Sequence, residues 1–283
     1  MSGSVEPIVF IDGRYGVPQE DVLTRLVPGK ERWDKGVFET LRMDHGRVAF
    51  WPEHWRRLQM GLRVYGIVCP FSHGELKEVL KGVIQRYQGT EGRLRLSVWG
   101  ARKDQWAVAL LPWRALRPEV YARGWTATWS GYRHPQSRTQ RVKSLSYHPF
   151  GEARQEAARR GVHEIFLQAG DGRVIEGAAT NIFCVRQNKI LTPPVRDGCL
   201  NGVVRQRVLR FARREDWEVC CRSLFAGDLF AAGEIFVTNA LIGVMAVTRL
   251  ADKPIGAGRE GPVARKLREI YQRYWQNTAR EVV

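Results

Sequence analysis

The sequence alternates short apolar segments, typical of β-strands, with longer segments whose apolar residues recur at helical spacing. Residues Val37 to Met43 alternate between polar and apolar side chains and precede a turn signal at 44–46, which predicts a strand entering a hairpin. Residues Pro52 to Tyr65 carry apolar side chains at helical spacing, which predicts a helix.

The same two patterns continue to the end of the chain. Further strands are predicted at residues 7–11, 48–51, 93–98, 106–111, 164–168, 179–186, 189–192, 235–238 and 244–248, and further helices at 75–87, 150–160, 203–213 and 262–275. Strands and helices mixed along the whole chain favour an α/β fold, which can also be described as α+β.

The length and one proline-containing segment predict two domains. A chain of 283 residues corresponds to about two domains at roughly 150 residues each. Residues 111–124 carry Pro112 and Pro118 between strand-like stretches, as expected of a linker. We therefore predict a smaller N-terminal domain, residues 1–117, and a larger C-terminal domain, residues 118–283.

Cysteines and apolar runs indicate where such a protein functions. The five cysteines have no paired CxxC spacing and the six histidines have no HExxH spacing, so neither a disulfide framework nor a metal site is predicted. The longest apolar run, Ala240 to Val247, is far shorter than the roughly 18 residues of a membrane span. The N-terminus has no secretory pattern. We expect a cytoplasmic protein without a membrane segment.

The charge favours anionic partners. The formal net charge is +16, from 45 Lys and Arg against 29 Asp and Glu, which suits acidic metabolites, lipid headgroups or nucleic acid. Nucleic-acid binding is the hypothesis from a different class. It is disfavoured because the cations are dispersed and no RNP, zinc or basic-tail signature accompanies them.

One segment matches a well-known nucleotide-binding pattern by its letters. Residues Gly256 to Gly261 read GxGxxG before a helix. A dinucleotide site also requires a following strand with an acidic residue about 20 positions on. The chain ends after the helix, so we interpret the segment as a loop.

Two ionisable residues have settings that allow catalysis. Lys143, between a predicted strand and a helix, could attack a carbonyl as a neutral amine, although a solvated surface lysine fits the same pattern. Glu176 stands between apolar and small residues, either as a buried acid paired with a cation or as an exposed turn residue.

Two further segments could bind a phosphate. The helix predicted from Val203 follows a glycine-bearing loop, and the N–H groups at such a helix start can hold an anion, although a plain loop fits equally. Arg57 lies on the first helix, where an arginine either clamps a phosphate or points to solvent.

Taken together and in order, these segments resemble the class IV aminotransferase family, the pyridoxal-phosphate enzymes of fold type IV. The matching stretches are residues 36–42, 54–58, 143–147, 176–183, 191–193, 200–205, 238–247 and 255–263. The resemblance implies a two-domain enzyme with pyridoxal 5'-phosphate bound between the domains, and a homodimer. The glycine segment at 256–261 is also similar to a family feature.

The resemblance also implies roles for individual residues. Lys143 matches the lysine that holds the cofactor as a Schiff base and moves protons during catalysis. Glu176 matches the carboxylate that keeps the pyridine nitrogen protonated. The remaining positions matching cofactor-binding residues are Arg57, Val203, Val204, Thr238 and Asn239 on the phosphate side and Tyr147 near the phenolic oxygen.

The reaction is less defined than the cofactor. Residues 38–42 and 238–241 look more like the aminodeoxychorismate lyase branch, which eliminates pyruvate to give 4-aminobenzoate, and we expect this activity first. The alternative is an amino acid transaminase of the branched-chain or D-amino acid type. Because the lyase substrate is a dicarboxylate, Arg42 and Arg95 are predicted on the substrate side, together with Phe38.

Overall fold

The computed structural model describes residues 5–18, 35–100, 105–135, 142–145 and 148–281. Tyr147, which the resemblance places near the cofactor, lies outside these residues.

The described elements form a mixed fold. The strands are β1 (Ile8–Ile11), β2 (Arg14–Gly16), β3 (Gly36–Asp44), β4 (Arg47–Val48), β5 (Glu91–Trp99), β6 (Trp106–Pro112), β7 (Trp125–Arg133), β8 (Glu164–Gln168), β9 (Val174–Gly177), β10 (Asn181–Arg186), β11 (Lys189–Thr192), β12 (Glu218–Cys221), β13 (Glu234–Asn239), β14 (Gly243–Leu250), β15 (Lys253–Pro254) and β16 (Arg280–Glu281). The helices are α1 (Trp51–Tyr65), α2 (His73–Arg86), α3 (Pro118–Arg123), α4 (His148–Arg159), α5 (Val203–Arg214), α6 (Ala226–Phe230) and α7 (Pro262–Thr278), with a 3₁₀ turn at Val195–Asp197. The predicted α/β (α+β) class is confirmed.

The chain divides into two compact units. The first comprises Met1–Ala115, Val142–His148 and Gln276–Val283, and the second comprises Leu116–Arg141 and Pro149–Trp275. The Lys143 segment, which we expected in the C-terminal domain, therefore belongs to the first unit. Backbone hydrogen bonds to β3 explain this difference, since Phe38 N–H donates to the Lys143 carbonyl and Leu145 N–H donates to the Gly36 carbonyl, each at 2.9 Å. The division near Arg117 stays a prediction.

The first unit contains one antiparallel sheet with two helices packed on it. The strand order is β16-β4-β3-β5-β6-β1-β2. Alternate residues of β3, such as Val37 and Leu41, join Leu58 of α1 and Leu80 of α2 in a buried core. The intervening residues of β3 face the other side of the sheet, because successive side chains of a strand point to opposite faces.

Helix α1 has sequence signals at both ends. Pro52 lies in its first turn, where the missing N–H leaves no helical hydrogen bond unmade. Gly66 ends the helix in the left-handed conformation with φ 65°, which glycine adopts without strain. These signals explain why the helix predicted at 52–65 lies almost where expected.

The second unit contains a mixed sheet. Its order is β12-β11-β10-β13-β14-β7-β8-β9, with β15 paired to β14. The β11–β12, β14–β7 and β7–β8 pairs are parallel, and the other pairs are antiparallel. Residues from several of these strands, including Phe166, Ile182, Val237 and Met245, form its core.

Strand β9, which carries Glu176, was not predicted. All four of its residues are buried, so the strand lacks the alternation of polar and apolar residues that marks a half-buried strand. Among the described residues, no helix is both long and apolar enough to cross a membrane.

Candidate active site

Strand β3 fixes the backbone of Lys143. An antiparallel bridge joins Val37 to Ser144, in addition to the two backbone hydrogen bonds described above. On the other side of this segment, the hydroxyls of Ser144 and Tyr65 lie 2.5 Å apart, which links it to α1. Lys143 is therefore held by the sheet and by the helix, as a catalytic lysine must be.

The side chain of Lys143 lies at the ring of Phe38. Its Nζ is 4.5 Å from the ring centroid, and the guanidinium carbon of Arg95 is 3.9 Å from the same centroid. Both distances are typical of cation–π contacts. Arg95 also donates from Nε to the Ser97 hydroxyl at 3.2 Å. Three of the predicted residues, Lys143, Phe38 and Arg95, thus meet at one point of the first unit.

Arg42 lies on β3 farther from this point. Its Nη2 is 3.3 Å from Asp44 Oδ2 and 3.6 Å from Glu91 Oε1, and its guanidinium carbon is 5.5 Å from the Trp113 ring centroid. Arg42 and Arg95 are on the same face of the sheet, because Arg42 pairs with Arg93 and Arg95 lies two residues further along β5. The ion pairs with the two acids occupy Arg42 near the sheet edge.

Arg57 forms an ion pair with Glu39, a residue that the sequence analysis did not single out. Arg57 donates from Nε to Glu39 Oε1 at 2.7 Å and from Nη2 to Glu39 Oε2 at 2.6 Å. His54 Nδ1 lies 2.7 Å from Oε2. His54 and Arg57, three residues apart, lie on one face of α1. The neighbouring Arg56, by contrast, is exposed.

Burial and charge determine how this cluster ionises. Burial opposes ionisation of Glu39, but the charges and hydrogen bonds of Arg57 and His54 outweigh it and lower its pKa to about 2. Burial lowers the pKa of His54 below its usual 6.5, more than Glu39 raises it. Since ionised Glu39 can only accept, the neutral imidazole donates its Nδ1 hydrogen to the carboxylate.

Glu176 is buried and paired in the second unit. Its Oε1 lies 3.2 Å from His134 Nε2, and its Oε2 accepts a hydrogen bond from Leu200 N–H at 3.0 Å. Of the two interpretations of Glu176, the buried acid is therefore the one observed. His134 was missed because it lies 42 residues from Glu176 in the sequence, and no motif contains it.

A second buried acid, Glu164, shapes the loop that follows Glu176. Its carboxylate accepts hydrogen bonds from Ala178 N–H at 3.0 Å and from the Thr180 hydroxyl at 2.7 Å. A Cβ added at Gly177 would collide with this carboxylate. The loop after Glu176 is thus held from inside the second unit.

The start of α5 carries the predicted Val203 and Val204. Gly202 is the N-cap and supplies no capping side chain, so the first N–H groups of the helix have no partner within it. Asn181 Nδ2 donates to the Leu200 carbonyl at 2.8 Å, and a Cβ at Gly202 would strike Asn181 Oδ1. The helix start therefore packs closely against β10.

Thr238 and Asn239 end strand β13. Thr238 pairs with Asn181 in the sheet register, which brings Thr238 towards the α5 start. Its Oγ1 is buried and has no hydrogen-bond partner among the described residues. Asn239 Oδ1 accepts from Leu241 N–H at 2.9 Å and Ile242 N–H at 3.0 Å. An unpartnered buried hydroxyl beside an uncapped helix start forms a cradle suited to an anion.

Comparisons with known proteins agree with this arrangement. The amino-transferase class IV family model matches residues 36–250. The chain is 28% identical over 246 residues to a D-alanine aminotransferase of Bacillus licheniformis, covering 84% of this chain and 86% of that protein. It is 27% identical over 287 residues to a branched-chain-amino-acid aminotransferase of Pseudomonas aeruginosa, covering 93% of this chain and 91% of that protein.

Solved structures match over nearly the whole chain. A branched-chain amino acid aminotransferase from the source abbreviated T.th., solved with pyridoxamine 5'-phosphate, has a TM-score of 0.85 and 27% identity, covering 98% of this chain and 99% of that chain. The same enzyme complexed with N-(5'-phosphopyridoxyl)-L-glutamate has a TM-score of 0.83 and 26% identity, with the same coverage.

Proposed function

Because this chain belongs to the amino-transferase class IV family, we propose that it is a pyridoxal 5'-phosphate-dependent aminotransferase acting on amino acids. The observation that carries this proposal is the fixed lysine of the first unit. Lys143 is bound to β3 through its backbone and has its Nζ at the Phe38 ring, 4.5 Å from the centroid. A lysine held in this way can serve as a covalent catalyst.

The residues present fit this cofactor. The cofactor supplies an aldehyde that bonds to amines and a ring that withdraws electrons from the bonded carbon. Lys143 would hold the aldehyde carbon and carry protons at the substrate α-carbon. Glu176, buried and hydrogen-bonded, would hold a proton on the pyridine nitrogen.

Several groups suit the cofactor phosphate. The buried Thr238 hydroxyl, without a partner among the described residues, and the N–H groups of Val203 and Val204 favour an anion. Arg57 adds a positive charge, since Glu39 uses only two of its five N–H groups. By the family resemblance, Asn239 and Tyr147 complete the set of cofactor-binding residues. We also propose a homodimer.

The names of the relatives favour transamination over the lyase activity that we expected first. The relatives and structures compared above are D-alanine and branched-chain amino acid aminotransferases. The lyase hypothesis rests on the short stretches 38–42 and 238–241. We therefore propose amino transfer as the reaction and keep pyruvate elimination from aminodeoxychorismate as the alternative. Phe38, Arg42 and Arg95 are proposed on the substrate side.

A substrate panel tests this proposal. Purified protein supplied with the cofactor is offered L-leucine, L-valine, L-glutamate and D-alanine as donors, each with 2-oxoglutarate or pyruvate, and aminodeoxychorismate in parallel. We expect formation of a new amino acid from at least one pair. Release of pyruvate and 4-aminobenzoate from aminodeoxychorismate, with no amino transfer, would replace the aminotransferase by the lyase.

A further inference from the structure

Glu39 is a buried carboxylate in the middle of β3 that accepts hydrogen bonds from two residues of α1. Its side chain is only 2% exposed. Its oxygens accept two hydrogen bonds from Arg57, at 2.7 and 2.6 Å, and one from His54 at 2.7 Å. Burial of a carboxylate in a sheet is costly unless it is paired. The cluster thus stabilises the contact between strand and helix.

The two-pronged contact also fixes the orientation of Arg57. A guanidinium is planar, and parallel hydrogen bonds from Nε and Nη2 to one carboxylate hold that plane in place. The Nη1 group is not part of this contact and stays available for another anion. The Arg57 side chain is 14% exposed, so its outer edge reaches the surface of the unit. A planar cation anchored at one edge is thereby ready to bind at the other.

The position of Glu39 in β3 connects this anchor to Lys143. Phe38, the preceding residue, contacts the Lys143 side chain and hydrogen-bonds the Lys143 backbone. Since successive residues of a strand face opposite sides, Phe38 faces the lysine and Glu39 faces α1. One strand therefore fixes both the covalent residue and the phosphate arginine.

We propose that Glu39, with His54 as its second hydrogen-bond partner, is a positioning residue that holds Arg57 ready for the cofactor phosphate. The inference rests on the proposed function, because that function gives Arg57 its ligand. It assigns a role to two residues, Glu39 and His54, that would not touch the cofactor themselves.

The opposite role is physically possible and has the opposite sign. If Glu39 competed with the phosphate for Arg57, removing its charge would release the arginine and tighten cofactor binding. If Glu39 positions Arg57, removing its charge would weaken binding, because the ordered fork is lost. The substitution Glu39→Gln separates the two, since one carboxylate oxygen becomes an NH₂ donor facing donors of Arg57 or His54.

The experiment compares pyridoxal 5'-phosphate with pyridoxal. Both carry the aldehyde that reacts with Lys143, and only the former carries the phosphate. Dissociation constants are measured by absorbance for the wild-type protein, Glu39→Gln, Arg57→Gln and the double variant. We expect Glu39→Gln to weaken binding of the phosphorylated form roughly tenfold to a hundredfold, as for the loss of a charge-assisted hydrogen bond, and to leave pyridoxal binding unchanged.

The double variant tests whether Glu39 acts through Arg57. If it does, the double variant binds pyridoxal 5'-phosphate no more weakly than Arg57→Gln alone. Glu78→Gln, an exposed glutamate of the same unit, is the matched control and should bind like the wild type. Glu39→Asp keeps the charge on a shorter side chain and should restore part of the affinity, and it provides the measurement if Glu39→Gln does not fold.

Three results would overturn the positioning role. They are an unchanged or tighter dissociation constant in Glu39→Gln, an equal loss for pyridoxal and its phosphate, and fully additive losses in the double variant. If the wild-type protein takes up no pyridoxal 5'-phosphate, the proposed function and this inference both fail. If the wild type binds it normally and Glu39→Gln does too, only the inference fails.

Discussion

Lys143 and Phe38 are joined twice, by a 2.9 Å hydrogen bond from the Phe38 N–H to the Lys143 carbonyl and by the contact of Lys143 Nζ with the Phe38 ring, 4.5 Å from its centroid. The first contact fixes the lysine backbone, and the second orients the ammonium group. Because Arg95 lies over the same ring at 3.9 Å, one aromatic side chain holds two cations in the first unit.

We predict that Phe38→Leu lowers kcat because the ring that orients Lys143 is lost. A cation–π contact contributes about 0.5 to 2 kcal/mol, which corresponds to roughly a twofold to thirtyfold lower kcat. The matched control is Phe71→Leu, which removes a ring from the core of the same unit. A control that lowers kcat as much as Phe38→Leu would show that general loosening, not the lysine contact, causes the effect.

The ionisation of Glu39 and His54 predicts a loss of stability in acid. Glu39 takes up a proton near its usual 4.5 when unfolded but has a pKa of about 2 when folded, so its contribution is complete above pH 4.5 and falls as the pH approaches 2. The difference is on the order of 3 kcal/mol. The lowered pKa of His54 acts in the same direction, because the unfolded histidine binds a proton first as the pH falls below 6.5.

Urea unfolding between pH 7 and 3 measures this dependence. The wild-type free energy of unfolding should decrease as the pH falls, and Glu39→Gln should lose the part of the slope below pH 5. A parallel slope in both proteins would contradict the assignment of acid sensitivity to Glu39.

Thr238→Val should separate stability from cofactor binding. The Thr238 hydroxyl is buried without a partner among the described residues, and an unsatisfied buried hydroxyl costs about 1 to 3 kcal/mol. We therefore expect the cofactor-free variant to unfold at higher urea concentration than the wild type, while its affinity for pyridoxal 5'-phosphate decreases. Lower stability of the cofactor-free variant would show that the hydroxyl already has a partner.

Glu176→Gln should keep the cofactor but lose turnover. A neutral amide can still accept the hydrogen bond of Leu200, whereas it cannot stabilise a proton on the pyridine nitrogen. We expect kcat to fall about a hundredfold or more, with binding of pyridoxal 5'-phosphate reduced much less. Steady-state kinetics and a binding titration check this, and a kcat close to that of the wild type would contradict the role of Glu176.

The sequence predicted elements whose signals are local. Helix α1 was found from the spacing of its apolar residues and from Pro52 and Gly66, and β3 from its alternation. The family resemblance added Lys143, Glu176 and Arg57, but it did not identify what holds them.

The partners of these residues were missed because they lie far away in sequence. Glu39 contacts Arg57 across 18 residues, and His134 meets Glu176 across 42. Such pairs form only when strands and helices pack, so no spacing rule reveals them. Strand β9 escaped prediction for a related reason, since burial on both faces removes its periodicity.

The central claim is that Lys143 holds pyridoxal 5'-phosphate covalently, and borohydride reduction tests it most directly. The purified protein is supplied with the cofactor, its visible absorption is recorded before and after reduction, and the modified peptide is identified by mass spectrometry. We predict a yellow protein that loses its colour on reduction and carries the label on Lys143, and a Lys143→Ala variant that folds but takes up no label. A label on another lysine, or equal labelling of Lys143→Ala, would contradict the account.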